Sequence, residues 1–360
     1  MDDLIRIPCV LMRGGTSKGP FFLDRDLPGD PDARDALLLE IMGSGHPLQI
    51  DGIGGGNPLT SKVAIVGPAS RADADVDYLF AQVTVGDRSV DTSPNCGNML
   101  AGVGPFAIEA GLVAATPGTT RVRIHNVNTR SVIEARIATP DARVTYRGDA
   151  AIDGVPGTSA PVLLAFGEAA GAKTGRLLPT GALTETIEGI DVTLIDAAMP
   201  MVLVRATDLG RTGYEPAEVL TADAELVETL SRFRREAARR MGILTNADLV
   251  IPKPVLLAPA RAGGTLAARY LMHRSFHTAL ATTGGVGLAI AAATPGTLAA
   301  QLAGPVDLPQ DVQIEHPSGR LHVRLETRPG GGVPVAYVVR TARRLFEGHV
   351  LVRAPDRTAA

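Results

Sequence analysis

The chain has 360 residues, of which 45% are hydrophobic, and it carries 40 glycines, 26 prolines and a formal net charge of -3. That apolar fraction excludes intrinsic disorder. Near-neutrality excludes the basic field a general nucleic-acid binder needs, and the length suggests two domains, each with its own core.

Of the 35 basic residues only four are lysines: Lys18, Lys62, Lys173 and Lys253. A lysine kept among so many arginines is a candidate for work arginine cannot do, such as releasing its proton. Two cysteines, Cys9 and Cys96, cannot build a disulfide framework. The acidic start Met1-Asp2-Asp3 lacks a secretory signal pattern, and the most apolar stretch, 284–304, has small side chains and is broken by Pro295. A cytoplasmic protein with no membrane partner is expected.

In chain order, strands are expected at 5–12, 62–66 and 78–85, with Gly86-Asp87 as a turn. Residues 98–110 are apolar nearly all the way round, which predicts a buried helix. A hairpin follows at 121–125 and 131–137. In the second half, strands are expected at 192–195 and 201–205. Residues 222–241 place Leu226, Leu230, Phe233 and Ala237 on one face of an amphipathic helix, with Arg234, Arg235, Arg239 and Arg240 read as its solvated side. A second Gly-rich helix at 283–294 precedes strands at 312–316 and 321–325. The order of Gly-rich helix, strand, tight turn and strand thus occurs twice, as a duplication would produce. The expected domains are 1–140 and 141–335, with residues 336–360 returning to the first.

The strongest local signal is Asn95-Cys96-Gly97-Asn98. Asn95 is a good cap, and Cys96 stands where a helix start favours a thiolate and binds carboxylates. The alternative is a small buried cysteine. Thr282-Thr283-Gly284-Gly285 is the counterpart in the second half, without a thiol. Two such starts facing one another would suit a small di- or tricarboxylate. The Gly-rich segments 13–19 and 51–62 fit neither a P-loop nor a dinucleotide fingerprint. His273 and His277 have i,i+4 spacing, but no further ligand completes a metal set. Arg274 is the better candidate, as a carboxylate clamp.

Several segments together resemble the 2-methylaconitate isomerase family, from about residue 5 to 353. They are Leu11-Met12-Arg13-Gly14-Gly15-Thr16-Ser17-Lys18-Gly19, the stretch 49–56, Leu59-Thr60-Ser61-Lys62-Val63, Asn95-Cys96-Gly97-Asn98, His316-Pro317-Ser318-Gly319 and Arg340-Thr341-Ala342-Arg343. Segments 75–82 and 102–106 are most similar to the 4-oxalomesaconate tautomerases and isomerases of aromatic-acid breakdown. The resemblance implies an α+β, diaminopimelate-epimerase-like fold: two pseudo-symmetric domains, each a mostly antiparallel sheet around a central helix, with the site between them.

The resemblance also implies a cofactor-independent, metal-free isomerase. Lys62 is the base and Cys96 the nearby thiol, since a second facing cysteine is missing. Lys62, neutral through desolvation or a neighbouring cation, would take an acidic C–H proton from an unsaturated tricarboxylate. The amides of Gly97, Asn98, Thr283 and Gly284 would hold the dienolate. Arg13, Thr16, Ser17, Lys18, Asn57, Ser61, Asn95 and Arg274 are the candidates for binding carboxylates. Cis–trans isomerisation of 2-methylaconitate, or non-catalytic carboxylate binding, stays open as an alternative. A homodimer is compatible with the reading.

Overall fold

The computed structural model describes residues 3–93, 96–165, 169–243 and 250–353. The fold is α+β and rich in strand. The chain divides into two compact units, Met1–Leu164 with Arg340–Ala360, and Ala165–Val339.

In the first unit, β1 (Leu4–Gly14) and β2 (Ser17–Leu23) form a hairpin closed by Gly15-Thr16. The expected Gly-rich loop is therefore a two-residue turn, and Ser17-Lys18-Gly19 is already strand. Helix α1 (Pro31–Met42) follows. Its start is capped by Asp30, whose carboxylate accepts from the Ala33 amide at 2.9 Å, and Pro31 suits a first turn that needs no N–H. Its end is Gly43 at φ 68°, a left-handed position glycine takes at no cost. Then come β3 (Lys62–Pro68), β4 (Val76–Val83), β5 (Val90–Asp91), α2 (Gly97–Glu109), β6 (Gly118–Asn126), β7 (Ser131–Thr139) and β8 (Pro161–Ala165).

Along this sheet the pairing alternates: β1/β2 antiparallel, β2/β3 parallel, β3/β4 antiparallel, β4/β6 parallel, β6/β7 antiparallel. Helix α2 packs against β1, β2, β3, β4, β6 and β7 and is buried along almost its whole length. Its apolar residues have no polar stripe to present to water, as the composition of 98–110 predicts. Close approach needs glycine. A Cβ on Gly102 would lie 2.5 Å from the Phe21 ring, and one on Gly104 would lie 2.5 Å from Ile137. The other face of the strands is covered by α1, where Leu38, Ile41 and Met42 pack with Phe22, Val63, Ile65, Ala81 and Val83.

The second unit contains β9 (Glu185–Ile187), β10 (Ile190–Ala197), β11 (Met199–Arg205), α3 (Ala217–Ala222), α4 (Ala224–Arg240), β12 (Lys253–Pro259), β13 (Leu266–Tyr270), α5 (Thr282–Ala292), α6 (Leu298–Ala303), β14 (Gln310–His316) and β15 (Gly319–Glu326). The pairing alternates in the same order: β10/β11 antiparallel, β11/β12 parallel, β12/β13 antiparallel, β13/β14 parallel, β14/β15 antiparallel. Helix α5 is enclosed like α2 and packs on β10, β11, β14 and β15. The last strand, β16 (Val335–Arg353), pairs with β15 through Val335–Val338. From Ala342 to Arg353 it lies antiparallel to β1.

One expectation is corrected. Arg234 is not solvated: only 3% of its surface is exposed. Its guanidinium donates to the carbonyls of His273 and Met272, both at 3.0 Å. Helical phase decides this, since Arg234 adjoins the buried stripe of Leu226, Leu230, Phe233 and Ala237. His273 lies in the bend closed by the Leu271–Phe276 bridge and His277 just beyond it, neither of them on a helix, so their spacing has no helical meaning.

Candidate active site

Cys96 is the N-cap residue of α2, in extended conformation at φ -127° and ψ 97°. Asn95, the expected cap, lies outside the described residues. The Cys96 carbonyl accepts from the Leu100 amide at 3.0 Å and from the Tyr78 hydroxyl at 3.4 Å. Tyr78 is fully buried, and burial, with the charge of Cys96 adding to it, pushes its phenol well above the ordinary range. It therefore stays protonated and donates.

The next turn of α2 meets the β1–β2 hairpin. Asn98 Nδ2 donates to Thr16 Oγ1 at 3.0 Å. A Cβ on Gly14 would sit 2.4 Å from the Asn98 carbonyl, and one on Gly15 would sit 2.2 Å from Asn98 Oδ1. Both glycines are thus required by close approach, and Gly15 also has φ 52°.

Lys62 opens β3. Its Nζ donates to Gln82 Oε1 at 2.7 Å and stands 5.1 Å from the centre of the Phe80 ring. Gln82 is oriented by its own donors, since Nε2 reaches the Ser61 carbonyl at 2.8 Å and the Pro58 carbonyl at 3.2 Å. The amide oxygen is therefore the atom left for the lysine. Tyr78, Phe80 and Gln82 alternate along β4 and so share one face. That single face carries the hydroxyl bonded to Cys96, the ring under Lys62 and the amide that holds Lys62.

The remaining candidates separate by strand alternation. Ser17, Gly19 and Phe21 share the face of β2 that looks at α2, where Phe21 packs on Phe106 with ring centres 5.6 Å apart. Ser17 is 2% exposed and its Oγ has no hydrogen-bond partner. A buried hydroxyl left unsatisfied costs stability, and here it is aimed towards the start of α2. Arg13 and Lys18, by contrast, point to the opposite face. Arg13 donates to the carbonyls of Gly15 and Thr341 at 2.9 and 3.0 Å.

Ser61 is fully buried and engaged, donating to the Val83 carbonyl and accepting from Gln49 Nε2, each at 2.7 Å. Asn57 is exposed and holds its loop, with Oδ1 accepting from the Leu59 amide at 2.9 Å. In the second unit, Arg274 is exposed, while Thr283 and Gly284 lie in the first turn of α5. Gly284 serves packing: a Cβ there would be 2.5 Å from the Tyr270 ring.

Two residues without an assigned role in the sequence reading belong to this arrangement. Gln82 had no signal of its own, because its partner is twenty residues away across a strand pair. Arg340 was visible only as part of a motif. Burial pushes its guanidinium down to about 10, against the opposing pull of Cys96. It remains a cation at neutral pH, within electrostatic reach of the thiol. The arrangement thus offers an amine, a thiol and a fixed positive charge beside the bare amides of a helix start. Such a set can move a proton on a carbon acid and stabilise the resulting anion.

Residues 4–353 match the model of the PrpF protein family. The chain is 48% identical over 346 residues to a (4E)-oxalomesaconate Delta-isomerase of Novosphingobium sp. (strain KA1), covering 96% of this chain and 97% of that one. It is 47% identical over 348 residues to a 4-oxalomesaconate tautomerase of Pseudomonas putida, covering 96% of each. Among solved structures, a methylitaconate-delta-isomerase superposes with a TM-score of 0.84 at 38% identity, covering 98% of this chain and 97% of the other. Matched along nearly its whole length by the family model and by these isomerases, the chain is an isomerase of the PrpF protein family.

Proposed function

We propose that the protein moves a carbon–carbon double bond in an unsaturated tricarboxylate, 4-oxalomesaconate, by proton transfer and without a cofactor. The observation that supports this best is the shared face of β4, which serves both Lys62 and Cys96. In the forward direction Lys62 removes a proton from the allylic carbon next to the conjugated system. The electron pair delocalises into a dienolate, whose oxygen faces the amides of Gly97 and Asn98 and the charge of Arg340. A proton is then returned at the far end of the allylic system, from Lys62 or from Cys96. No atom is gained or lost, and one C–H bond replaces another.

The test follows deuterium from solvent into substrate by NMR. Wild-type protein is expected to wash label into the allylic position, and Lys62→Met should slow this by at least about 100-fold, the usual weight of a general base. Wild-type exchange by folded Lys62→Met overturns the assignment. Offering oxalomesaconate and methylitaconate side by side decides the substrate, with a clear preference for oxalomesaconate expected.

A further inference from the structure

The unit formed by Met1–Leu164 and Arg340–Ala360 holds a cavity of about 360 Å³ that Lys62 and Cys96 do not line, although Thr16 and Ser17 at the hairpin end do. Its floor is set by strand register. Arg13 of β1 stands directly opposite Lys18 of β2 on one side and Arg343 of β16 on the other. Residues directly opposite in antiparallel strands project to the same face, with Cβ atoms about 5 Å apart. Three cations therefore form a row across three adjacent strands. Like charges so placed repel one another. Burial, reinforced by Arg343, pulls the Arg13 guanidinium below its ordinary range. None of the described residues lining the cavity is acidic.

The rest of the wall is suited to an anion. Thr158 and Ser159 line it, and Ser159 Oγ already accepts from Arg13 Nη2 at 3.4 Å. Arg13 itself is anchored by the Thr341 carbonyl and hydroxyl, both at 3.0 Å, so its charge is held in place. Gly14, between the cation row and the helix, turns its missing side chain towards Asn98, so the row lies on the sheet face away from the start of α2. An anion bound among the three cations would offset their mutual repulsion.

We infer that this cavity is a separate binding site for a small polyanion, a phosphate or a di- or tricarboxylate, held by Arg13, Lys18 and Arg343. Titration calorimetry with inorganic phosphate and, separately, with citrate tests it and distinguishes the two ligand chemistries. Thermal melting in chloride-only buffer and with each anion gives a second readout. Wild type is expected to bind at least one of the two anions and to melt higher with it. Arg343→Gln should bind at least tenfold more weakly, yet melt no lower than wild type without the anion, because repulsion is relieved. Arg343→Lys, which keeps the charge, should bind within a few-fold of wild type. Lys62→Met should bind as tightly as wild type, since it alters only the catalytic amine. The inference is overturned if wild type binds neither anion, if Arg343→Gln binds as wild type does, or if Lys62→Met loses binding equally.

Discussion

Lys62 and Lys253 occupy corresponding places, each opening the strand that pairs in parallel with the preceding hairpin. Their surroundings give them different tasks. Lys62 is held by Gln82 and stands over Phe80, and in the proposed reaction it is the base. Lys62→Arg keeps the charge but cannot give up its proton at neutral pH, so its turnover should fall nearly as far as that of Lys62→Met. Lys253 is buried at 8% exposure, and its ammonium donates to the Met272 carbonyl at 3.0 Å. Burial, with Arg234 adding to it, pushes its pKa down to about 8. Between that value and the ordinary one of about 10.5, the unfolded chain holds a proton that the folded chain has released. The group therefore weakens the fold fully below pH 8, and the penalty fades as pH rises towards 10.5. At roughly 1.4 kcal/mol per pH unit the penalty is on the order of 3 kcal/mol at pH 7. Lys253→Met should stabilise the protein by about 1–3 kcal/mol at pH 7, since the Met272 carbonyl keeps Arg234 as donor. The advantage should shrink when melting is repeated at pH 9.

Helices α2 and α5 are rich in glycine and alanine, and their glycines are placed by their neighbours. In an exposed helix, Gly→Ala would gain up to about 1 kcal/mol from propensity. At Gly102 the new methyl would meet the ring of Phe21, itself wedged against Phe106. At Gly287 it would meet the Ala197 carbonyl and the Met201 side chain, each at 2.4 Å. Overpacking of this kind costs about 1–3 kcal/mol, so Gly102→Ala and Gly287→Ala should each lower the melting temperature. Gly86→Ala, with open space around it, should leave melting within the range of an ordinary surface change. These helices show what periodicity can and cannot say. Their burial was legible because no polar face exists to expose. The outer helix α1 was missed, since its sequence has little amphipathic contrast, although Asp30-Pro31 and Gly43 mark its ends.

At the scale of the whole molecule, the alternation of antiparallel and parallel pairs is the same in both units, with one enclosed helix each. The first unit depends on a strand from the other end of the chain. β16 pairs with β1 from Leu4↔Arg353 to Gly14↔Ala342. It also supplies Val350 and Val352 to the core, and Arg344, which bonds Glu109 at 2.6 Å. A chain ending at Val339 should lose amide-exchange protection throughout β1 and β2, and isomerase activity with it. Retained protection in β1 would show that the first unit closes without β16.

Local sequence determined several of the strands and the two enclosed helices, and it singled out Lys62 and Cys96 as candidates, because each depends on a short motif or a regular period. Tertiary structure decided which face each side chain took. Ser17 and Lys18 are neighbours in one motif, yet strand alternation sends the hydroxyl towards the helix start and the ammonium to the opposite side. Arg234 reads as one of four surface arginines until helix packing encloses it, and Gln82 acquires a partner only when β3 and β4 pair. Composition and spacing report what a segment can form, whereas the partner it meets is set by register between strands distant in the chain.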